Sequence, residues 1–319
     1  MYRQIKVHPD DWKYQRILWI NPDNNLVTYE LTTVTYGLVC SPFLSLRTLQ
    51  QLIEDEGEKF PLAVPSLKRG RYVDDIFGGV DTIDKAQEIA HQLNHLCMAG
   101  GFRLQKWISN HSAVLTSIPK EYQITSTNFQ IEDNAIVHAL GLCWQPSTDT
   151  FQFTLKFPPT KVLTKRTVLS TISTLFDPIG LLSPITITAK IFMQELWTLR
   201  LSWDDLLPVN AATKWNNFLT ALKDMPQFNF PRWLGGQANS TVEIHGFCDA
   251  SQHAMAASVY LRTTNEDGSV TTNLIASKTK VAPLKRLTIP RLELSSAIIL
   301  TKLVVHILRI LDDENVVSR

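Results

Sequence analysis

Two adjacent aspartates, Asp74 and Asp75, interrupt a run of strand formers, with Tyr72-Val73 before them and Ile76-Phe77 after. The flanks favour extended backbone, so the chain has to reverse at the acids and both carboxylates share a tight turn. Side by side they repel. A divalent cation relieves that repulsion, because hard carboxylate oxygens bind magnesium, and magnesium keeps open positions for phosphate oxygens. A solvated Asp-Asp turn is the other reading of the same residues. Asp81 or Thr82 then caps a helix whose apolar positions Ala86, Ile89, Ala90, Leu93 and Cys97 recur at helical spacing, and Gly100 and Gly101 stop it. A strand-turn-strand-helix unit of this kind belongs to an α+β architecture.

The flanking sequence agrees. Two alternating, β-branched runs between Gln15 and Val34 surround the turn cluster Asn21 to Asn25 and predict a hairpin. Ser41 and Pro42 open a helix that runs to Lys59, with Leu44, Leu49, Leu52 and Ile53 on one side. Residues 102–109, 138–144 and 151–157 read as three further strands, which completes a domain over 1–155. Pro158, Pro159 and Thr160 start a helix through Leu175, Asp177-Pro178 ends it, and Ser183-Pro184 starts another through Arg200. A third helix spans Ala211 to Lys223. Residues 226–240 are rich in Pro, Gly, Asn and Gln and read as a linker, which closes a helical segment over 156–240. In the last segment, 241–319, three strands at 242–248, 255–262 and 270–277 precede a helix capped by Thr288, with Pro290 in its first turn.

Composition limits the alternatives. The chain has 319 residues, 44% hydrophobic and 19% charged, an ordinary globular balance that excludes a disordered tail or a collagen-like rod. With 31 basic and 30 acidic residues, a nucleic-acid partner has to be held by local basic patches. Cys40, Cys97, Cys143 and Cys248 lie far apart with no CxxC pair, which suits reduced thiols packed in cores better than a zinc site or disulfides. The apolar stretch Ile298 to Leu311 carries Lys302, His306 and Arg309 and reads as too short and too charged to cross a bilayer. No signal sequence precedes it, so an intracellular, cytoplasmic protein without a membrane partner is expected.

Basic residues lie beside the acids. Lys68, Arg69 and Arg71 precede the Asp74-Asp75 turn and form a rim suited to phosphates, or else simply a soluble surface. Lys106 is placed to donate a proton to a leaving pyrophosphate, the alternative being an exposed strand lysine. Further along, Asp249 ends a strand and Glu293 lies early on a helix, so the two can point at one metal, though two-metal hydrolysis needs further ligands. Between them Lys278, Lys280, Lys285, Arg286 and Arg291 form a stretch without an acid. There is no GxxxxGK[ST], HExxH or GxSxG motif and no AspThrGly or AspSerGly peptidase triplet.

Taken in order, MYRQI at 1–5, YGLVCSPF at 36–43, YVDD at 72–75, GGFRLQKWISN at 100–110 and LGLCWQP at 140–146 resemble successive reverse-transcriptase palm motifs. The block at 164–197 is similar to the region after the palm in BEL/Pao retrotransposon Pol polyproteins, a region that carries a retrotransposon peptidase label. FCDAS at 247–251 and IPRLELSSA at 289–297 resemble the first two ribonuclease H motifs of those polyproteins.

The resemblance implies fingers and palm over 1–155, a helical thumb and connection over 156–240, and a ribonuclease H-like α/β domain over 241–319. It implies RNA-directed DNA polymerase and ribonuclease H chemistry, with two magnesium (or manganese) ions per site. The expected ligands are an RNA/DNA template-primer, an RNA–DNA hybrid and deoxynucleoside triphosphates, and the expected partners are the other Pol and Gag segments. Asp74 and Asp75 match polymerase metal ligands, and Asp249 and Glu293 the first two ribonuclease H ligands. Tyr2 matches the aromatic that selects deoxynucleotides, Tyr36 and Gly37 lie where the backbone passes template and nucleotide, and Tyr72 opens the carboxylate motif. The first palm aspartate precedes MYRQI in this family, and the later ribonuclease H carboxylates follow the helix of Glu293. The expectation is therefore a fragment with little or no activity, or a non-catalytic nucleic-acid-binding remnant.

Overall fold

The computed structural model describes residues 1–124, 137–153, 162–225, 228–236 and 239–313, and divides into two compact units, Met1–Asp133 and Asn134–Arg319. Together they make a mixed α+β fold of several helices and antiparallel sheets.

In the first unit β1 (Arg16–Ile20) and β2 (Leu26–Glu30) form the hairpin expected from the Asn-rich turn, with Ile20 paired to Leu26. Helix α1 (Ser41–Glu56) follows, then the short α2 (Val64–Arg69), the two-residue strands β3 (Arg71–Tyr72) and β4 (Asp75–Ile76), and α3 (Ile83–Ala99). Thr82 caps α3, its side chain accepting from the Lys85 backbone N–H. The apolar stripes of the helices meet in one core of Leu49 and Leu52 from α1, Leu67 from α2 and Leu93, Leu96 and Cys97 from α3, closed by Ile5, Val34 and Phe102. Each fully buried leucine contributes roughly 1.5–3 kcal/mol to such a core.

In the second unit β5 (Val137–Ala139), β6 (Leu142–Gln145) and β7 (Thr150–Gln152) form a meander. Helices α4 (Lys165–Ser173), α5 (Ser183–Thr198) and α6 (Val209–Lys223) come next. They pack around Trp215, which stacks on Phe192 at 5.1 Å between ring centres, with Val168, Ala189 and Leu196 buried beside them. The short β8 (Asn229–Pro231) then leads to three long strands, β9 (Thr241–Ala250), β10 (Ala254–Thr264) and β11 (Val270–Val281), in spatial order β11-β10-β9, and to the long helix α7 (Ile289–Asp313). On β10 the residues Met255, Ala257, Val259, Leu261 and Thr263 are all buried, the period of two that marks one covered face. Helix α7 covers it, with Leu292 packed against Met255.

The connection between α4 and α5 ties the helices to this sheet. The Ser277 N–H donates to the Ile179 carbonyl at 2.9 Å, and the Ser277 hydroxyl reaches the Gly180 carbonyl at 2.5 Å and Ser183 Oγ at 2.6 Å. Gly180 has φ +83°, and a Cβ there would clash with the Ser277 carbonyl, so only glycine allows this approach.

Several expectations need correction. Residues 102–109 are not a strand: Lys106 adopts φ +59°, which breaks the extension, and Trp107 pairs its backbone with Tyr122 and Ile124 instead. Of the expected strand at 151–157, residues 154–157 lie outside the described residues, as do Pro158 to Thr160. The helix expected from there begins at Lys165, because Thr164 and Thr167 form a capping box. The expected linker at 226–240 contains β8, which pairs with β7. Only Cys97 is a core cysteine; Cys40 and Cys248 are exposed and Cys143 is half-buried. The apolar helix is longer than the sequence reading allowed, since Ile289–Leu311, mean hydropathy 1.8, is long and apolar enough by length and composition to cross a membrane.

Candidate nucleic-acid interface

In the first unit one expected site residue and neighbours of two others border the core. Tyr2 and Ile76, which follows Asp75, pack against it, as does Trp107, which follows Lys106. Tyr2 also meets Tyr36 edge to face at 4.9 Å, beside Gly37, whose φ of +86° leaves open space where a side chain would stand. Residues far apart in sequence, Tyr2, Tyr36 and Gly37, thus form one corner.

The carboxylate turn is tight. Tyr72 pairs directly with Asp75, so Val73 and Asp74 are the two turn residues, and Val73 alone of the pair has positive φ, at +54°. That sign pattern is the one a type II′ hairpin turn uses, with glycine the usual occupant. A β-branched residue there stores about 1–3 kcal/mol of strain. Asp74, Asp75 and Tyr72 are exposed, as are Lys68 and Arg69 in the last turn of α2. Arg71 differs from its neighbours: its Nη1 is buried without a hydrogen-bond partner, and burial pushes the guanidinium below its usual pKa. It faces inward, so the exposed rim consists of Lys68 and Arg69.

In the second unit α7 runs back along β9. The Ser296 hydroxyl donates to the Asp249 carbonyl at 2.7 Å, and a Cβ built on Gly246 would stand 2.8 Å from Leu300. Glu293 lies one turn before Ser296, beyond the end of β9. The helix therefore brings Glu293 to the strand end that carries Asp249. Gly246 and Ala250 face the helix, the β9–β10 register is continuous, and strict alternation turns Asp249 to the opposite face of the sheet. Its carboxylate accepts from the next residue's N–H, Ala250, at 2.8 Å. Asp249 and Glu293 are both exposed. Among the described residues no group of three or more His, Cys, Asp or Glu side chains stands close enough to hold a metal ion.

The basic stretch does gather. Lys280 lies opposite Met255 and Lys278 opposite Ala257, so both project from the face that α7 covers, and Lys278, Lys280, Lys285 and Arg286 are all exposed. Sequence reasoning missed Ser296, the residue that fixes the helix on the strand, and Lys302, which stands across from Lys280. A serine inside an amphipathic helix gives no signal of its own; only the register of α7 on β9 reveals it.

Residues 164–317 match a family model described as a Pao retrotransposon-like RNaseH-like domain. The match opens on the Thr164 cap and spans α4 to α7, taking in the helices and the sheet they are tied to. A search of curated proteins finds no match to the chain.

Proposed function

We propose that this chain is a nucleic-acid-binding remnant of a Pao-type retroelement polyprotein, whose ribonuclease H-like segment grips the backbone of an RNA–DNA hybrid without cleaving it. The observation that carries the reading is the coincidence of the family match with a module that exposes Lys278, Lys280, Lys285 and Arg286 beside α7. Lysine and arginine in such a patch bind phosphates with little regard to sequence and release counterions as they do so.

Magnesium, when bound in enzymes of this kind, activates water and steadies the leaving oxygen. The donor set among the described residues does not fit a magnesium pair. Asp249 and Glu293 are two carboxylates near one strand end, and Asp74 with Asp75 are two on an exposed turn. Two metals need at least a third shared ligand, so binding without turnover is the reading that these residues support. In the first unit the same reading makes the Tyr2–Tyr36–Gly37 corner a contact for nucleotide or template, and the exposed Lys68, Arg69, Tyr72 and Lys106 contacts for phosphate or sugar.

The test is fluorescence anisotropy of a labelled RNA–DNA hybrid, run with a cleavage assay in magnesium. Binding is expected to weaken steeply as salt rises, and the double variant Lys285→Glu/Arg286→Glu to weaken it by about tenfold or more. The hybrid should stay intact. Failure to bind would remove the proposal, and robust magnesium-dependent cleavage would replace it with an enzyme.

A further inference from the structure

Helix α7 has one buried side and, away from it, an exposed apolar stripe. The buried side holds Leu292, Ser296 and Ile307. On the stripe, Leu294, Ile298, Val305 and Leu308 are 65%, 50%, 41% and 36% exposed. Steps of four, seven and three keep these four residues on one helical stripe. Arg291, Lys302 and Arg309 run along a single flank of it.

That flank borders a groove of about 310 Å³ between α7, the end of β11 and the loop that follows. Its floor is Met255, Leu287, Ile298 and Ile299, its rim carries Lys280 and Lys302, and no acidic residue lines it. An aliphatic stripe leading into an aliphatic floor, with cations along one side, sets the chemistry of what covers it. Phosphodiester backbone would leave the leucines and isoleucine wet. A second copy of α7 laid antiparallel would set like flank against like flank, Arg291, Lys302 and Arg309 facing the same cations. An amphipathic helix with acidic flanks satisfies both features, because its apolar residues bury the stripe and its carboxylates meet the lysines.

We infer that α7 and the Lys280–Lys302 groove form a docking surface for an acidic amphipathic helix of a partner protein. The groove shares Lys280 with the hybrid-binding patch, but Ile298 and Lys302 belong to no phosphate contact proposed above, so Ile298→Asp and Lys302→Glu test the inference apart from hybrid binding.

The probe is a fluorescent synthetic helix of about 18 residues, five turns, with leucines at helical spacing and glutamates on both flanks. A second probe replaces every glutamate with lysine. The full chain is expected to bind the acidic probe saturably and the basic probe not at all. Ile298→Asp and Lys302→Glu should each weaken the acidic probe by about tenfold. Both positions are exposed, and circular dichroism checks that each variant folds. Lys302→Glu combined with Lys280→Glu should acquire binding to the basic probe, a gain that unfolding does not produce. Equal binding of both probes, or none of the acidic one, overturns the inference. So does sedimentation showing a dimer of the unmodified chain that Ile298→Asp dissolves, or capture of the chain by anionic phospholipid vesicles through Ile298, because the stripe would then belong to a second copy or to a lipid surface.

Discussion

Asp177 shows how one side chain can hold a connection in place. Its Oδ2 accepts the Leu182 N–H at 2.8 Å, with the Gly180 and Leu181 N–H groups also directed at the carboxyl, while Oδ1 is buried with no partner. Burial pushes the pKa up, and the three backbone N–H groups and Lys190 oppose it without cancelling it. The folded state therefore holds this proton more tightly than the unfolded chain does. The stabilisation linked to it is full below the unfolded value, about 3.9, and is lost as pH rises through the higher folded value. Asp177→Asn keeps an acceptor and removes the titration. Denaturant melts of the variant across about pH 3 to 7 should lack the part of the slope in which stability falls with rising pH. An unchanged slope would mean that Asp177 is not its source. In the sequence this aspartate reads only as half of a helix-stopping Asp-Pro; that it gathers three N–H groups follows from a loop conformation which Gly180 permits and Ser277 holds.

Among the elements, α4 depends most visibly on its ends. Thr164 accepts the Thr167 N–H, Thr167 Oγ1 accepts the Thr164 N–H at 2.9 Å, and Thr164 is buried. Replacing Thr164 with Ala removes half of this exchange and should cost about 1 kcal/mol, seen as a lower denaturation midpoint with an unchanged slope. Thr164→Ser should recover most of it. Pro158 to Thr160 predict an earlier start for this helix, since proline is a good first-turn residue. Reciprocal threonine capping is harder to see, because the usual signal places Glu or Gln at the third helical position. The strands divide in the same way. The 242–277 segment is legible as three strand-forming runs, whereas β8 has three residues, one of them proline, and exists because β7 offers it an edge.

At the level of the whole molecule, the second unit is tied together across long sequence separations. Besides the Ser277 contacts, the Gln194 side chain of α5 donates to the Ala282 carbonyl after β11 at 2.7 Å. These contacts make the α4–α6 helices part of the support of the β9–β11 sheet. A fragment of 241–319 should accordingly melt with little cooperativity, while 162–319 should show a single sharp transition by calorimetry. A cooperative melt of the shorter fragment would show that the sheet and α7 need no support from the helices. The sequence by itself determined the α+β class, the hairpin at 16–30, the long helices α1 and α3 of the first unit, the three long strands and the basic stretch before α7, because each is written in local periodicity, capping and turn residues; the short α2 had no such signal. It also singled out Tyr2, Tyr36 and Gly37, but only tertiary packing set the two tyrosines edge to face. Only the tertiary structure decided that Asp249 faces away from α7, that Arg71 turns inward, and that α7 leaves an apolar stripe exposed beside Lys280 and Lys302. Those outcomes depend on register and on which face meets a neighbour, and a one-residue shift in either would reverse them without changing the pattern along the chain.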